Sequence, residues 1–264
     1  MADINIAFGV TADWISYAFV TICSILSNSD KKDNYKFYIM SDLSEQDFLA
    51  NCEPVKQKLK NISPNNFEIK QIKTDNTDFD GIVHDTRVGV SAYYRLKLAS
   101  MTTMDKVIYL DSDIVVLGNI SELWNFDIND YYFGAVEDKS SELMSWRANL
   151  DEGDIYINSG VLVMNLKKFR EDNIETLIFD KLKEADNNYS DQDVLNDICR
   201  EKILYLPLKY NLMLSRDENA YPKLRKEYTE TINSPFILHY SIKPWILPVQ
   251  YSEYWREFSG KLGW

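Results

Sequence analysis

The sequence predicts an α/β fold in which a mostly parallel central sheet carries helices on both faces. Short apolar segments of strand length alternate with longer helical segments over roughly the first 70 residues, an order typical of parallel strands joined by helices. The chain has 264 residues, 45% of them hydrophobic, with only 9 Gly and 7 Pro. A chain of this size and composition can bury a large core. Several later apolar segments end in acidic side chains, which places candidate ligands at strand ends.

The first elements follow this alternation closely. The predicted strands cover 5–10, 37–40 and 67–72, and a helix between the first two covers 17–26. This helix is apolar nearly all round, as expected when a helix packs on a sheet. Ser44 and Asp47 have the spacing of a helix capping box, and the polar helix that they begin should break or kink at Pro54.

The segment 105–118 joins two apolar runs through a pair of carboxylates, Asp111 and Asp113. In an extended chain, residues two apart point to one face, so both carboxylates would lie together. Both should be ionised at neutral pH, and like charges repel unless a cation lies between them. Hard oxygen ligands suit Mg²⁺ or Mn²⁺. A turn in which both side chains cap backbone N–H groups is the open alternative.

The rest of the chain continues the alternation. Helices are predicted from Ser91, at 121–126, over 167–187 and from Asp191, and strands at 132–136, 155–166, 203–206 and 236–240. Arg95 on the helix from Ser91 is either a surface charge or a ligand in a cleft, and taken alone it is interpreted as a surface charge, because isolated charged residues are mostly solvated.

Three other polar features admit two interpretations each. The Asn-Ser-Gly at 158–160 interrupts an apolar strand. It is either a β-bulge whose polar groups are satisfied by its own backbone or a polar break that faces a ligand. Asp191 could simply cap the helix that follows it. His239 lies beside apolar residues, which favours a core histidine, whereas the nearby Lys243 favours a ligand. The other histidine, His84, lies in a polar loop.

Composition excludes several classes of protein. A formal net charge of -12 and a pI of about 4.7 argue against a nucleic-acid partner, which would require Lys and Arg to neutralise phosphates. Cys23, Cys52 and Cys199 are far apart and lack the spacing of a disulfide framework or zinc site. The sequence shows neither a signal peptide nor an apolar run of the ~18 residues that span a membrane. We therefore expect a soluble, cytoplasmic chain.

Six segments, in order and with suitable spacing, resemble the retaining glycosyltransferases of family eight, which include lipopolysaccharide galactosyl- and glucosyltransferases and the glycogenins. The segments are INIAFGV, AYYRLKL, VIYLDSDIVVLG, YINSGVLVMNLKKF, SDQDVLN and LHYSIKPW. The resemblance implies a GT-A fold that binds a UDP-hexose donor, UDP-glucose or UDP-galactose, through a divalent metal, Mn²⁺ or Mg²⁺. The implied acceptor is a saccharide, a lipid-linked saccharide or a glycoprotein, which the enzyme would glycosylate in building a cell-surface glycan such as lipopolysaccharide.

The resemblance also implies roles for individual residues. Asp111 and Asp113 match the metal-binding DxD motif, with His239 as the third protein ligand. Contacts to the nucleotide or diphosphate would fall to Ala7, Phe8, Gly9, Thr11, Asp13, Ser112 and Lys243, and contacts to the donor sugar to Arg95, Asn158 and Asp191. The implied catalytic group is Gln192 beneath the anomeric carbon, Asp191 beside it and Asp138 on the acceptor side, with Asp193 in an orienting role.

The resemblance divides one domain, 1–264, into parts. The nucleotide-binding part would cover about 1–115, the sugar and acceptor part about 116–245, and a C-terminal aromatic helix about 246–264. Relatives often end in a tail that touches membranes, so peripheral contact with the inner face of a membrane is a minority hypothesis. We expect the stripe of Tyr251, Tyr254, Trp255 and Phe258 to pack on the body instead, because the charges around it balance in sign.

Two departures from the family pattern weaken the nucleotide assignments. Thr11 stands where many relatives have an acid, so Asp13 or the backbone would have to replace that contact. The loop after His239 is shorter than usual and lacks a Gly, which puts the reach of Lys243 in question.

Two rival functions remain. A haloacid-dehalogenase-type phosphatase would use Asp111 as nucleophile and Asp113 as acid, but that motif usually lies on the first strand of its domain. A non-catalytic sugar-binding protein would need neither the metal pair nor Lys243.

Overall fold

A computed structural model of the chain describes residues 3–30, 32–82, 89–151, 153–184, 189–214, 221 and 223–264. Within these residues the strands are β1 (Asp3–Gly9), β2 (Asn34–Ser41), β3 (Phe67–Lys73), β4 (Lys106–Leu110), β5 (Ile114–Val116), β6 (Phe133–Glu137), β7 (Ile157–Asn165), β8 (Ile203–Tyr205), β9 (Leu212–Met213) and β10 (Ile237–His239). The α-helices are α1 (Ile15–Ser27), α2 (Glu45–Ile62), α3 (Leu98–Met101), α4 (Ser121–Trp124), α5 (Ser141–Met144), α6 (Leu166–Glu171), α7 (Ile174–Glu184), α8 (Asp191–Cys199), α9 (Arg225–Thr231) and α10 (Ser252–Lys261).

The central sheet has seven strands in the order β3-β2-β1-β4-β7-β6-β8. Its strands are parallel except at β7, which runs antiparallel to both β4 and β6. A smaller sheet has the order β5-β10-β9. The predicted α/β class with a mostly parallel sheet is therefore confirmed.

Both faces of the central sheet are buried, as β4 shows residue by residue. Ile108 and Leu110 face a core formed with α1 and α10, whereas Val107 and Tyr109 face a second core formed with α7 and α8. This alternation follows from the two-residue period of a strand. Helices therefore cover both faces, as the sequence predicts.

The aromatic stripe of α10 packs on the body of the protein, as expected. Trp255 and Phe258 are each 3% exposed and belong to the core that contains α1. Tyr251 and Tyr254 are half-buried against the same core. Among the helices of the described ranges, none combines the length and the apolar character that crossing a membrane requires.

Three helices differ in detail from the prediction. The chain does not break at Pro54, because α2 runs through it and places the proline on its exposed face. The helix from Ser91 is largely a 3₁₀ helix over Val90–Lys97 before α3 adds one α-helical turn. The single helix over 167–187 is divided into α6 and α7 at Asn173, whose φ of 52° is left-handed, and residues 185–187 lie outside the described ranges.

The topology brings distant segments together at the carboxyl end of β4. The chain leaves β4, turns at 111–113 and enters β5 of the small sheet. There β10 pairs antiparallel with β5, with His239 opposite Ile114. On the other side of β4, Leu110 pairs with Val161 of β7. Side chains from β4, β7 and β10 therefore meet at one place.

Candidate active site

Asp111, Asp113 and His239 form a compact group of possible metal ligands. One ligand atom from each lies within 4.8 Å of the others. The two aspartates lie in a turn rather than in the extended chain that the sequence predicts, but their carboxylates still converge. The hydrogen bonds that these carboxylates accept come from side chains, namely Arg95, Tyr109 and Lys243, which does not support the capped-turn alternative.

Asp113 is held between two basic side chains. Its Oδ1 lies 3.3 Å from Nε2 of His239, and its Oδ2 contacts Nζ of Lys243. Burial opposes ionisation of Asp113, but His239 and Lys243 together outweigh burial and hold its pKa well below the usual range. Asp113 is therefore an anion in the folded protein.

Asp111 is oriented by Arg95, which is 3% exposed. Arg95 Nη2 donates to Oδ1 of Asp111 at 2.9 Å, and Tyr109 Oη donates to the same oxygen at 3.2 Å. The guanidinium carbon lies 4.3 Å from the centre of the Tyr109 ring. Burial alone would lower the pKa of Arg95, but Asp111, Tyr109 and Asp191 raise it, so the charge is retained. The interpretation of Arg95 as a surface charge is wrong.

Gly160 lets these groups approach one another. A Cβ on Gly160 would lie 2.4 Å from Cε1 of His239 and 2.8 Å from Oδ2 of Asp111. The register of β6 against β7 also shifts between Gly134 and Val136, opposite this stretch. The strand is therefore irregular here, as the bulge interpretation predicts, and Gly160 lies against two of the possible metal ligands.

A second group of polar side chains lies beside the first. Asp138 Oδ2 accepts from Nδ2 of Asn158 at 3.0 Å and from Nε2 of Gln192 at 3.4 Å. Gln192 Oε1 accepts from the Ser159 backbone at 3.0 Å and from Asn158 Nδ2 at 3.2 Å. Asp138 and Asn158 are buried, so this hydrogen-bonded group holds Gln192 in one orientation.

Asp191 lies beside Arg95 in the cleft and is not the residue that caps α8. Ser190 caps α8, and Asp193 completes a capping box with it. Asp191 Oδ2 instead lies 3.4 Å from Nε of Arg95. Burial raises the pKa of Asp191 to about 6, with Arg95 opposing the shift. Asp193 is fully buried and pairs with Arg147 at 3.1 Å.

Lys243 reaches the ligand group although its loop is short. Nζ contacts Asp113 and lies 5.5 Å from the centre of the Trp14 ring. Two residues beyond Lys243, Trp245 stacks on Tyr17 of α1 with ring centres 3.9 Å apart. This aromatic contact fixes the loop against the body of the protein.

The candidate nucleotide residues divide into those that face the cleft and those that do not. Gly9, Thr11, Ser112 and Lys243 line it. The side chains of Ala7 and Phe8 lie in the two cores on either side of β1, so only their backbone is available to a ligand there. Asp13 is exposed on the 3₁₀ helix Ala12–Trp14.

Members of both polar groups line one cleft of about 850 Å³, a volume suited to a small organic ligand, whereas His239, Asp138 and Asn158 lie behind its lining residues. Its lining residues are Gly9, Thr11, Trp14, Gly89, Ser91, Ala92, Arg95, Tyr109, Asp111, Ser112, Asp113, Met144, Arg147, Tyr156, Ser159, Ser190, Asp191, Gln192, Met213, Ser241 and Lys243.

Some residues of the site carry no sequence signal. Asn211 precedes a two-residue strand, yet it is fully buried and contacts His239. Tyr109 is one apolar residue among others in β4, and only its place two residues before Asp111 singles it out. His84 lies outside the described residues.

Comparison with known proteins identifies the fold as that of the GT-A glycosyltransferases and gives the family. The family model Glycosyl transferase family 8 matches residues 5–246, so the chain belongs to that family. The solved structure of galactosyltransferase LgtC in complex with donor and acceptor sugar analogs is similar, with a TM-score of 0.76 and 26% identity over 99% of this chain and 95% of that one.

Two curated relatives illustrate the range of the family. The lipopolysaccharide 1,2-glucosyltransferase of Escherichia coli K12 is 29% identical over 92% of this chain and 72% of its own length. General stress protein A of Bacillus subtilis is 27% identical over 84% of this chain and 80% of its own. Membership of the family makes this chain an enzyme that moves a sugar from a nucleotide-sugar donor to a saccharide acceptor. The phosphatase and sugar-binding alternatives have no support.

Proposed function

We propose that this protein transfers a hexosyl group from a UDP-sugar, UDP-glucose or UDP-galactose, to a saccharide acceptor with retention of anomeric configuration, and that it requires a divalent cation. The observation that carries this proposal is the convergence of Asp111, Asp113, His239 and Lys243 beside a buried group that includes Arg95. The names of similar proteins, a lipopolysaccharide glucosyltransferase and a galactosyltransferase, support glycan assembly and a hexosyl donor.

The residues present fit a divalent cation. Two carboxylates and one imidazole offer hard oxygen ligands and a nitrogen ligand within 4.8 Å of one another. Carboxylates suit Mg²⁺ and Mn²⁺, whereas imidazole is more typical of transition metals, so Mn²⁺ is the better match. When bound, such a cation would stabilise the negative charge that develops on a departing diphosphate. The close contact of Gly160 with Asp111 and His239 holds two of the three ligands in place.

Lys243 would supply a second positive charge to the same diphosphate. In the structure the ammonium of Lys243 contacts Asp113, and when donor and cation bind it would exchange this carboxylate for phosphate oxygens. Lysine commonly binds phosphate as a point charge. Charge stabilisation of this kind needs no general acid at the leaving group.

The sugar side of the cleft favours attack from the same face as the leaving group. Gln192 Oε1 already accepts from the backbone and side chain of Ser159 and from Asn158, and an amide oxygen so engaged is a poor nucleophile. The bond between the anomeric carbon and the diphosphate oxygen breaks as the acceptor oxygen bonds to that carbon. The acceptor proton passes to a diphosphate oxygen. Arg95, Asn158 and Asp191 would hold the donor sugar, and Asp138 the acceptor side.

On the nucleotide side, Gly9, Thr11 and Ser112 are the best-placed candidates, because they line the cleft next to Lys243. Asp13 is exposed nearby and would meet the uracil or ribose only at the edge of the cleft. The choice between UDP-glucose and UDP-galactose rests on the residues around Arg95 and Asp191.

The test is release of UDP from a panel of UDP-sugars, with and without Mn²⁺ and in the absence of acceptor. We expect Mn²⁺-dependent hydrolysis of a UDP-hexose, and a decrease of at least ~10²-fold for Asp111→Ala, the typical cost of removing one preorganised electrostatic group. Asp130→Ala, which removes an exposed carboxylate, is the matched control and should retain activity. Cleavage of p-nitrophenyl phosphate without turnover of any UDP-sugar would show that the proposal is wrong.

A further inference from the structure

We propose that Asn211 is a positioning residue that holds His239 in the tautomer with its proton on Nδ1, and so leaves Nε2 free for a cation. The inference rests on the proposed function and extends it to a residue with no motif. Asn211 is fully buried, and it links His239 to the polar group around Asp138 through Asn158.

The direction of this hydrogen-bond chain begins at Asp138. Nδ2 of Asn158 donates to Oδ2 of Asp138 at 3.0 Å. Oδ1 of Asn158 then faces the other way. There it accepts from the backbone N–H of Gly160 at 3.0 Å, which independently requires an oxygen at this position.

The same reasoning orients Asn211. Its Nδ2 lies 2.8 Å from Oδ1 of Asn158 and donates to it. Its Oδ1 therefore faces His239, with 3.0 Å to Nδ1 of the imidazole. An amide oxygen can only accept, so Nδ1 of the neutral imidazole carries the proton.

The consequence appears at the other nitrogen of the ring. Nε2 of His239 points to the ligand group, 3.3 Å from Oδ1 of Asp113 and 3.9 Å from Oδ2 of Asp111. In the protonated ring Nε2 donates to Asp113, whereas in the neutral ring with its proton on Nδ1 it carries the lone pair that a cation binds. A histidine that binds a metal commonly donates its other N–H to a neighbouring oxygen, which fixes both tautomer and ring orientation. In this protein the neighbouring oxygen is Oδ1 of the buried Asn211 side chain rather than that of a solvent molecule.

Removal of the amide should move the proton. In Asn211→Leu, Nδ1 loses its acceptor, while a proton on Nε2 could bond to the carboxylate of Asp113. A cation would then have to displace that proton. We expect the affinity for Mn²⁺ to fall by ~10- to 100-fold, the range found when such supporting groups are removed. Asn211→Asp keeps an oxygen acceptor toward Nδ1 but loses the donor to Oδ1 of Asn158, so it should retain the tautomer while lowering the unfolding free energy.

The measurement is the ¹⁵N spectrum of the imidazole rings in metal-free protein labelled at histidine, at a pH well above the ~6.5 reference pKa of histidine. The chain has only 2 His, so one further variant, His84→Gln, assigns both rings. We expect the proton of His239 on Nδ1 in the wild type and on Nε2 in Asn211→Leu. Calorimetric titration with Mn²⁺ alone gives the matching affinities.

Asn196→Leu is the control for general damage, because Asn196 is also fully buried and bonded to β7, but it does not contact His239. It should leave the tautomer unchanged. A proton on Nε2 in the wild type would overturn the inference without any variant, as would an unchanged spectrum and Mn²⁺ affinity in Asn211→Leu. Either of these results could be found in a protein that still turns over a UDP-sugar. Conversely, a protein without turnover could still have the proton of His239 on Nδ1. The proposed function and the role of Asn211 are therefore tested separately.

Discussion

Gly160→Ala tests the packing of the ligand group with the smallest possible change. The added Cβ would lie 2.4 Å from Cε1 of His239 and 2.8 Å from Oδ2 of Asp111. Carbon atoms in contact normally lie ~3.5–4.0 Å apart, so either the imidazole or β7 must move by roughly 1 Å. Because the ring is enclosed by Asn211 and Asp113, the movement cannot be absorbed by free rotation.

The expected effect on function is larger than the effect on stability. Overpacking by one methyl group costs ~1–3 kcal/mol of unfolding free energy. A displacement of ~1 Å in a catalytic site can lower the rate by ~10²-fold. We therefore expect Gly160→Ala to remain folded, and to lose most of its Mn²⁺ affinity and of its turnover of a UDP-hexose.

The assay combines calorimetric titration with Mn²⁺, release of UDP and thermal unfolding. Gly260→Ala is the matched control, because a Cβ on Gly260 in α10 meets no heavy atom within 4 Å. A folded Gly160→Ala variant with wild-type Mn²⁺ affinity and turnover would refute the argument that close packing of His239 and Asp111 forms the metal site.

Two further predictions concern charged side chains of the cleft. Lys243→Met should weaken binding of UDP in the presence of Mn²⁺ by ~10-fold or more, the value of one hydrogen bond to a charged group. It should not weaken binding of Mn²⁺ alone, because the ammonium of Lys243 lies beside Asp113 and cannot itself bind a cation. Equal loss in both calorimetric titrations would contradict this. The pKa of Asp191 is raised from 3.8 to about 6, so the folded state favours its protonated form and the associated stability is lost as pH rises through that interval. The unfolding free energies of the wild type and of Asp191→Asn are compared in the presence of a chelator. Between pH ~4 and ~6, that of the wild type should fall relative to that of the variant by up to about 3 kcal/mol. Parallel pH curves from denaturant titrations would show that burial does not raise the pKa of Asp191.

The fold class could be predicted because it depends on local patterns. Strand and helix periods are visible in short windows, and β4 and β7 are apolar along nearly their whole length because both faces of the sheet are covered. The helix boundaries that failed depend on detail that periodicity lacks. Asn173 adopts a left-handed conformation and divides α6 from α7. Helix α2 continues through the exposed Pro54, although proline removes one backbone hydrogen bond and its ring crowds the preceding turn.

The site could be predicted only as far as its motifs extend. The Asp111–Asp113 pair is local in sequence, whereas the burial of Arg95 depends on Asp111 and Asp191, which reach it through the tertiary fold. Asn211 shows the limit most clearly. A single Asn before two apolar residues has no distinguishing pattern, and its importance lies wholly in the orientation of two neighbouring side chains.

The most direct test of the central claim is calorimetric titration of UDP-glucose and UDP-galactose into the protein, with Mn²⁺ and then with a chelator, in the wild type and in Asp113→Asn. Our account predicts that one of the two donors binds with Mn²⁺, and that binding is weakened by at least ~10-fold both by the chelator and by the substitution. Binding of either donor that is unchanged by chelation and by Asp113→Asn would contradict a metal-bridged donor site.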